Sequence, residues 1–231
     1  HENDGAFAIP QTEAFMNRIY CHSLKAKSSD KTDIRIILHD RRTKMNSELG
    51  FSIKSQLGGD STLLNASKST NFNFKIEGAQ FSDEEINGIN SLNPKRNKVI
   101  DRVNAIKAKG GKLVFDRVDN PTFYNNLIML DGDLPSVIAS LLLEQLNSGV
   151  STLKELVNQI TEINPLGYDT RQPSPFYAYK VKPLLTSAAL GMMPATAWDG
   201  KLDANGGYFP TLNNATVYDM YFYHGTKIKF S

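Results

Sequence analysis

A single cysteine, Cys21, rules out a disulfide within the 231-residue chain, and four scattered histidines with no second cysteine leave no ligand set for a structural zinc ion. Any metal bound here has to rely on oxygen ligands. No run reaches the eighteen or more apolar residues of a membrane span, and the stretch from His1 to Phe7 lacks the basic-then-apolar order of a signal peptide. A cytoplasmic protein without membrane contact is therefore expected. There is no Gly-rich phosphate loop and no nucleophile elbow, so nucleotide binding and serine hydrolysis have no support. Internal repeats, low-complexity tracts and clear linkers are also missing. The formal net charge of +2 is too small to announce a nucleic-acid protein by itself.

What is present is an ordinary globular composition, 40% hydrophobic and 22% charged, enough for one or two domains. The positive charge is unevenly spread. Lys25, Lys27, Lys31, Arg35, Arg41, Arg42 and Lys44 fall close together, and Lys95, Arg96 and Lys98 form a second group. Such clusters suit phosphate contact, although solvated faces also produce them.

Hydrophobic periodicity predicts a first helix from about Pro10 to His22, with Ala14, Phe15, Ile19 and Tyr20 as its apolar stripe. Residues 33–40 are β-branched and partly alternating, residues 49–57 alternate, and the polar stretch Arg41 to Ser47 lies between them, which reads as a hairpin. A third strand is expected at Phe72 to Ile76. Ser82 with Glu85 forms a capping box, Pro94 to Lys109 is amphipathic and stops at Gly110 and Gly111, and Lys112 to Val118 returns to strand. Helices follow at 121–130, 134–147, 151–163 and 175–190, and strand and loop from Asn205 onward. The fold class expected is α+β, a mixed central sheet flanked by helices with a largely helical C-terminal half. Residues 1–118 would carry the hairpin and its following loop, and residues 119–231 the helical and C-terminal strand region of the same compact unit.

The hairpin has chemical meaning. Metal-assisted phosphodiester hydrolysis needs a carboxylate to hold a hard cation and a lysine near the attacking water or the scissile phosphate. Asp33 opens the first strand and Ser52-Ile53-Lys54 occupies the second, where residues 52 and 54 share a face because strands have a period of two. This is the arrangement of the PD-(D/E)xK nuclease hairpin, with Ile53 able to offer its backbone carbonyl as a further ligand. Thr32 stands where proline is usual, and Ser52 where an acid is usual, so another carboxylate has to complete a metal site. Glu13, Asp40 and Glu48 are the candidates, the last two near the turn at the hairpin's far end. His39, beside Asp40, reads as a surface residue at a strand end rather than a general base. The segment after the hairpin, including Ser55, Gln56, Thr62, Asn65, Ser67, Lys68, Ser69, Thr70 and Asn71, is dense in hydroxyl and amide groups of the kind that bind phosphate oxygens and base edges.

The run Leu49 to Gly58, with Thr62 to Ser67 and Thr70-Asn71-Phe72, resembles the HpaII family of type II restriction endonucleases. Further likeness lies in Ser23 to Ser28, Gly110 to Leu113, Asn125-Asn126-Leu127, Ala189 to Pro194, Trp198-Asp199-Gly200 and Gly206-Gly207-Tyr208. The resemblance implies a restriction-endonuclease-like fold and a magnesium-dependent enzyme that cuts double-stranded DNA at a short palindrome, with CCGG the namesake's site. Asp33 would bind metal, Lys54 would support hydrolysis, and Lys25, Lys27 and the polar loop from Ser55 to Asn71 would approach the DNA. A homodimer matches a palindrome's two half-sites, and a cognate DNA methyltransferase would protect the host genome. The alternative is a DNA-binding module, or an inactive fragment of such an enzyme, without nuclease activity. Family members are expected to carry a longer N-terminal part, and the stretch from Pro210 to Ser231 matches them poorly.

Overall fold

The computed structural model describes residues 9–19, 32–53, 67–92, 98–150 and 152–208. These residues form α+β structure with seven α-helices and five strands, in two compact units. The first unit comprises the described residues up to 53 together with 203–208, and the second comprises residues 67–202.

In the first unit, α1 (Pro10–Arg18) starts on a proline, whose fixed φ suits a helix's first turn, and carries Glu13 there and Arg18 at its end. It stops at Ile19, short of the expected His22. Strands β1 (Ile34–His39) and β2 (Asn46–Ile53) form an antiparallel hairpin in register from Ile34 opposite Phe51 to His39 opposite Asn46. Its turn is built by Asp40, whose side chain accepts from the amides of Arg42 at 2.8 Å and Thr43 at 3.4 Å, while Lys44 takes a left-handed φ of 59°. β2 begins at Asn46, three residues before the alternation becomes visible, because Ile37, Leu38 and His39 take Glu48, Ser47 and Asn46 as partners. The short β5 (Gly206–Tyr208) joins β2 in parallel, so the order is β1-β2-β5 and the three-stranded sheet is mixed.

In the second unit, β3 (Phe72–Glu77) pairs antiparallel with β4 (Lys112–Val118), with an irregularity at Asn73/Phe74. The expected single central sheet is thus corrected. Among the described residues the strands form two separate sheets, since β3 finds its edge partner in β4 and not in the hairpin. β1 is exposed at all six positions rather than flanked by helices.

Between β3 and β4 lie α2 (Asp83–Ser91), started by the expected Ser82–Glu85 capping box, and α3 (Lys98–Ala108). Then α4 (Pro121–Leu130), α5 (Leu134–Ser148), α6 (Leu153–Ile163) and α7 (Phe176–Leu190) form the core. One face of α5, with Leu134, Ile138 and Leu142, packs with Phe72, Phe123, Leu127 and Leu184; the other, with Val137 and Leu141, meets Leu156, Ile160, Tyr177 and Leu185. Lys180 lies between Asp131 and Asp133 at 2.7 and 3.1 Å, and Tyr168 donates to Asp133 at 2.9 Å. Burial alone would lower the Lys180 ammonium, but the two carboxylates outweigh it and hold its pKa above the ordinary value. No single helix among the described residues is long and apolar enough to cross a membrane.

Candidate active site

The hairpin register extends by one step to place Asp33 opposite Ser52, and the side chains meet there: Ser52 Oγ donates to Asp33 Oδ2 at 3.2 Å. Ser52 is only 3% exposed, while Asp33 is solvent-accessible. Because strand side chains alternate, Asp33, Arg35, Ile37 and His39 share this face with Ser52, Gly50, Glu48 and Asn46. Two further polar pairs run along it. Arg35 bonds Glu48 at 2.9 Å, and His39 bonds Asn46 at 2.9 Å. His39 is accordingly a partner in a surface pair near the turn.

The structure separates Asp33 from two of the acids expected to complete the site. Asp40 lies at the far end of the hairpin, seven residues and so about 20 Å along the strand. Its carboxyl is held below the usual range by the amide of Arg42 and then by Thr43, which makes it a turn residue. Glu48 is four residues, about 13 Å, from Ser52 and is occupied by Arg35. Glu13 is exposed on α1. No group of three or more metal-binding side chains forms among the described residues.

A segment that sequence reasoning missed lies against the same place. Thr32 Oγ1 donates to the Asp203 carbonyl at 2.8 Å, the Gly50 amide donates to Asn205 Oδ1 at 2.8 Å, and the Asn205 amide donates to the Gly50 carbonyl at 2.7 Å. Thr32, at the position where proline is usual, is 7% exposed and uses the hydroxyl a proline would lack. The visible signal was the Gly206-Gly207-Tyr208 run, which becomes β5. Gly50 permits this approach: a Cβ there would come within 2.8 Å of Thr32 Oγ1 and 2.9 Å of the Asp203 carbonyl oxygen. Gly50→Ala is expected to destabilise the first unit by about 1–3 kcal/mol through overpacking, read as a lower urea midpoint with an unchanged slope.

Lys25, Lys27, Lys54, Ser55, Gln56, Thr62 and Asn65 lie outside the described residues, and Ile53 is described by its backbone. Lys68–Thr70 forms a short 3-10 turn in the second unit. Ser67 Oγ accepts from the Ser69 amide at 3.2 Å, and Thr70 Oγ1 accepts from the Ser67 amide at 3.1 Å, so both hydroxyls bind their own turn. Lys68 is exposed, and the Asn71 carbonyl accepts from the Asp119 amide at 2.9 Å. The second unit also holds a cleft of about 310 Å³ lined in part by Asp116, Asp119, Tyr124 and Ser136. Its acids are engaged, Asp116 with Lys75 and Arg117 and Asp119 with Asn73.

Asp33 thus opens one arm of the hairpin and Ser52 faces it from the other, the layout of a restriction-endonuclease hairpin. The chain belongs to the HpaII restriction endonuclease family, whose family model matches residues 1–228. It is 42% identical over 203 residues to the type II restriction enzyme HpaII of Haemophilus parainfluenzae, a match that covers 88% of this chain and 55% of that relative. The chain thus spans about half the length of the curated relative it matches. No solved structure matches it.

Proposed function

We propose that this chain carries the cleavage hairpin of a type II restriction endonuclease that hydrolyses double-stranded DNA at a short palindrome, with CCGG the first sequence to test. The observation that carries this is the meeting of Asp33 and Ser52 on one face, in a chain of the HpaII family; the two-residue period of a strand would bring Lys54 to the same face.

The donor chemistry here suits a hard divalent cation such as Mg²⁺. Asp33 offers a carboxylate, Ile53 a backbone carbonyl, and every candidate donor is oxygen. We assign the missing acid to Asp203. Its carbonyl is fixed to the residue before Asp33 and it closely approaches Gly50, one step along the face from Ser52. Asp33, the Ile53 carbonyl and Asp203 would hold the ion, which when bound lowers the pKa of a ligated water and offsets charge on the phosphate. Ser52 donates to Asp33 and so orients its carboxylate. The Lys54 ammonium hydrogen-bonds a non-bridging phosphate oxygen and stabilises the negative charge that grows there as water attacks phosphorus. The attacking water gives a proton up to solvent as its oxygen bonds phosphorus, the bond from phosphorus to the leaving sugar oxygen breaks, and that oxygen takes up a proton from solvent. Lys25, Lys27, Ser55, Gln56, Thr62, Asn65 and Ser67 to Asn71 are the proposed DNA contacts, with Lys68 the exposed cation of the 3-10 turn. A homodimer matched to the palindrome, a cognate methyltransferase and a cytoplasmic location complete the proposal.

Supercoiled plasmid incubated with the protein and Mg²⁺ is expected to give discrete fragments whose sequenced ends share one palindrome, and EDTA is expected to stop the reaction. Salt-sensitive DNA binding that Lys54→Ala leaves unchanged, with no cutting, would instead make the chain a DNA-binding module.

A further inference from the structure

We infer that Asn205 is a positioning residue for the cleavage hairpin, fixing the register in which Ser52 faces Asp33. The inference rests on the hydrolytic role proposed for that hairpin.

A two-stranded hairpin is marginal in water without a third strand or a packed face, and β1 is exposed at every position. The Ser52 to Asp33 bond is a 3.2 Å hydroxyl contact at the open end of the hairpin, a weak constraint on register. The stronger constraint comes from the other side. Asn205 satisfies both backbone groups of Gly50, accepting its amide with the side-chain oxygen and donating its own amide to the Gly50 carbonyl. The backbone then continues as β5, with Gly206, Gly207 and Tyr208 beside Phe51, Ser52 and Ile53.

The same segment is fastened to the other arm of the site through the Thr32 to Asp203 bond, and Ala204, between the two anchors, is buried at 1% exposure. Three consecutive residues, 155 to 171 positions away in sequence, thereby tie the residue before Asp33 to the residue two before Ser52. Register is where this matters. A slip of one residue would turn Ser52, and with it Lys54, to the opposite face from Asp33. The side-chain bond of Asn205 is an element of this clamp that a point substitution removes without touching a residue of the cleavage face.

The test compares the full chain with Asn205→Ala and Asn205→Asp. The aspartate variant keeps an oxygen acceptor for the Gly50 amide. Cleavage of supercoiled plasmid with Mg²⁺ gives kcat and KM, and binding to the same plasmid with Ca²⁺ gives Kd. For Asn205→Ala, kcat is expected to fall about 100-fold, the scale of a misplaced reacting group, with KM and Kd within about twofold, and Asn205→Asp is expected to recover most of the rate. An unchanged kcat in Asn205→Ala overturns the inference. So does a parallel loss of cleavage and DNA binding, which marks a purely structural residue. Hydrogen exchange at Gly50 through Ile53 separates this from the hydrolytic proposal. If the wild-type chain binds DNA but does not cut, that proposal fails, and the clamp stands or falls on whether these amides exchange faster in Asn205→Ala.

Discussion

Asp33→Asn is expected to leave DNA affinity intact and to slow Mg²⁺-dependent cleavage by about 1000-fold or more. The substitution is nearly isosteric and keeps an oxygen that can accept from Ser52, so the hairpin bond at 3.2 Å survives. What disappears is the negative charge proposed to hold the cation. A bound cation contributes several kcal/mol to phosphoryl transfer, and each 1.4 kcal/mol is a factor of ten in rate. Removing its principal carboxylate therefore outweighs any local packing effect. Metal binding, followed by calorimetry without DNA, is expected to weaken in step. Asp203→Asn distinguishes the assignment of the second acid, because it is expected to raise the Mg²⁺ concentration for half-maximal cleavage while Glu48→Gln does not. Glu48 is tied to Arg35 in an exposed pair, the kind that contributes little. A Glu48→Gln variant as impaired as Asp203→Asn would remove Asp203 from the site.

Local chemistry was legible in the sequence, and distant partnership was not. The helix starts at Ser82 and Pro121, the β-branched strand after Asp33 and the polar turn before Ser47 all follow from interactions within a few residues. The pairing of Asp33 with Ser52 was legible for the same reason, since the two lie only 19 residues apart on the arms of one local hairpin. The start of β2 at Asn46 was not, because Asn46, Ser47 and Glu48 are strand residues only through their β1 partners. Nor was the split into two sheets, which depends on β3 pairing with β4 across an intervening pair of helices. Asp40 looked like a spare acid because composition records its charge but not the two amides it accepts. The largest omission, the docking of Asp203 to Asn205, joins positions 155 and 171 residues apart, where the side chains of Asn205 and Thr32 each bond a backbone group that every residue possesses, so no local pattern announces it.

Asn126→Ala is expected to cost about 3–5 kcal/mol, a substantial share of the 5–15 kcal/mol that holds a typical domain together. Asn126 sits on α4 at 1% exposure, among apolar neighbours where an amide is costly unless fully bonded. Its Nδ2 donates to the carbonyls of Met193 at 3.0 Å and Thr196 at 2.9 Å, and its Oδ1 accepts from the Trp198 amide at 3.0 Å. One side chain thus adds three bonds to residues 193–198, whose own backbone contributes the Thr196 amide to Met193 carbonyl bond at 3.4 Å. That segment leads into the Trp198 ring, which packs on the core and donates its Nε1 to the Lys201 carbonyl at 2.8 Å. Truncation strands the Thr196 carbonyl and the Trp198 amide, at about 1–3 kcal/mol each where water cannot reach, and leaves a cavity, while the Met193 carbonyl keeps the Thr196 amide at 3.4 Å. Asn126→Leu separates bonding from packing. It restores the volume but none of the three bonds, so it is expected to be nearly as unstable as Asn126→Ala in urea unfolding followed by Trp198 fluorescence. A leucine variant within about 1 kcal/mol of wild type would mean that shape, and not hydrogen bonding, holds residues 193–198 to α4.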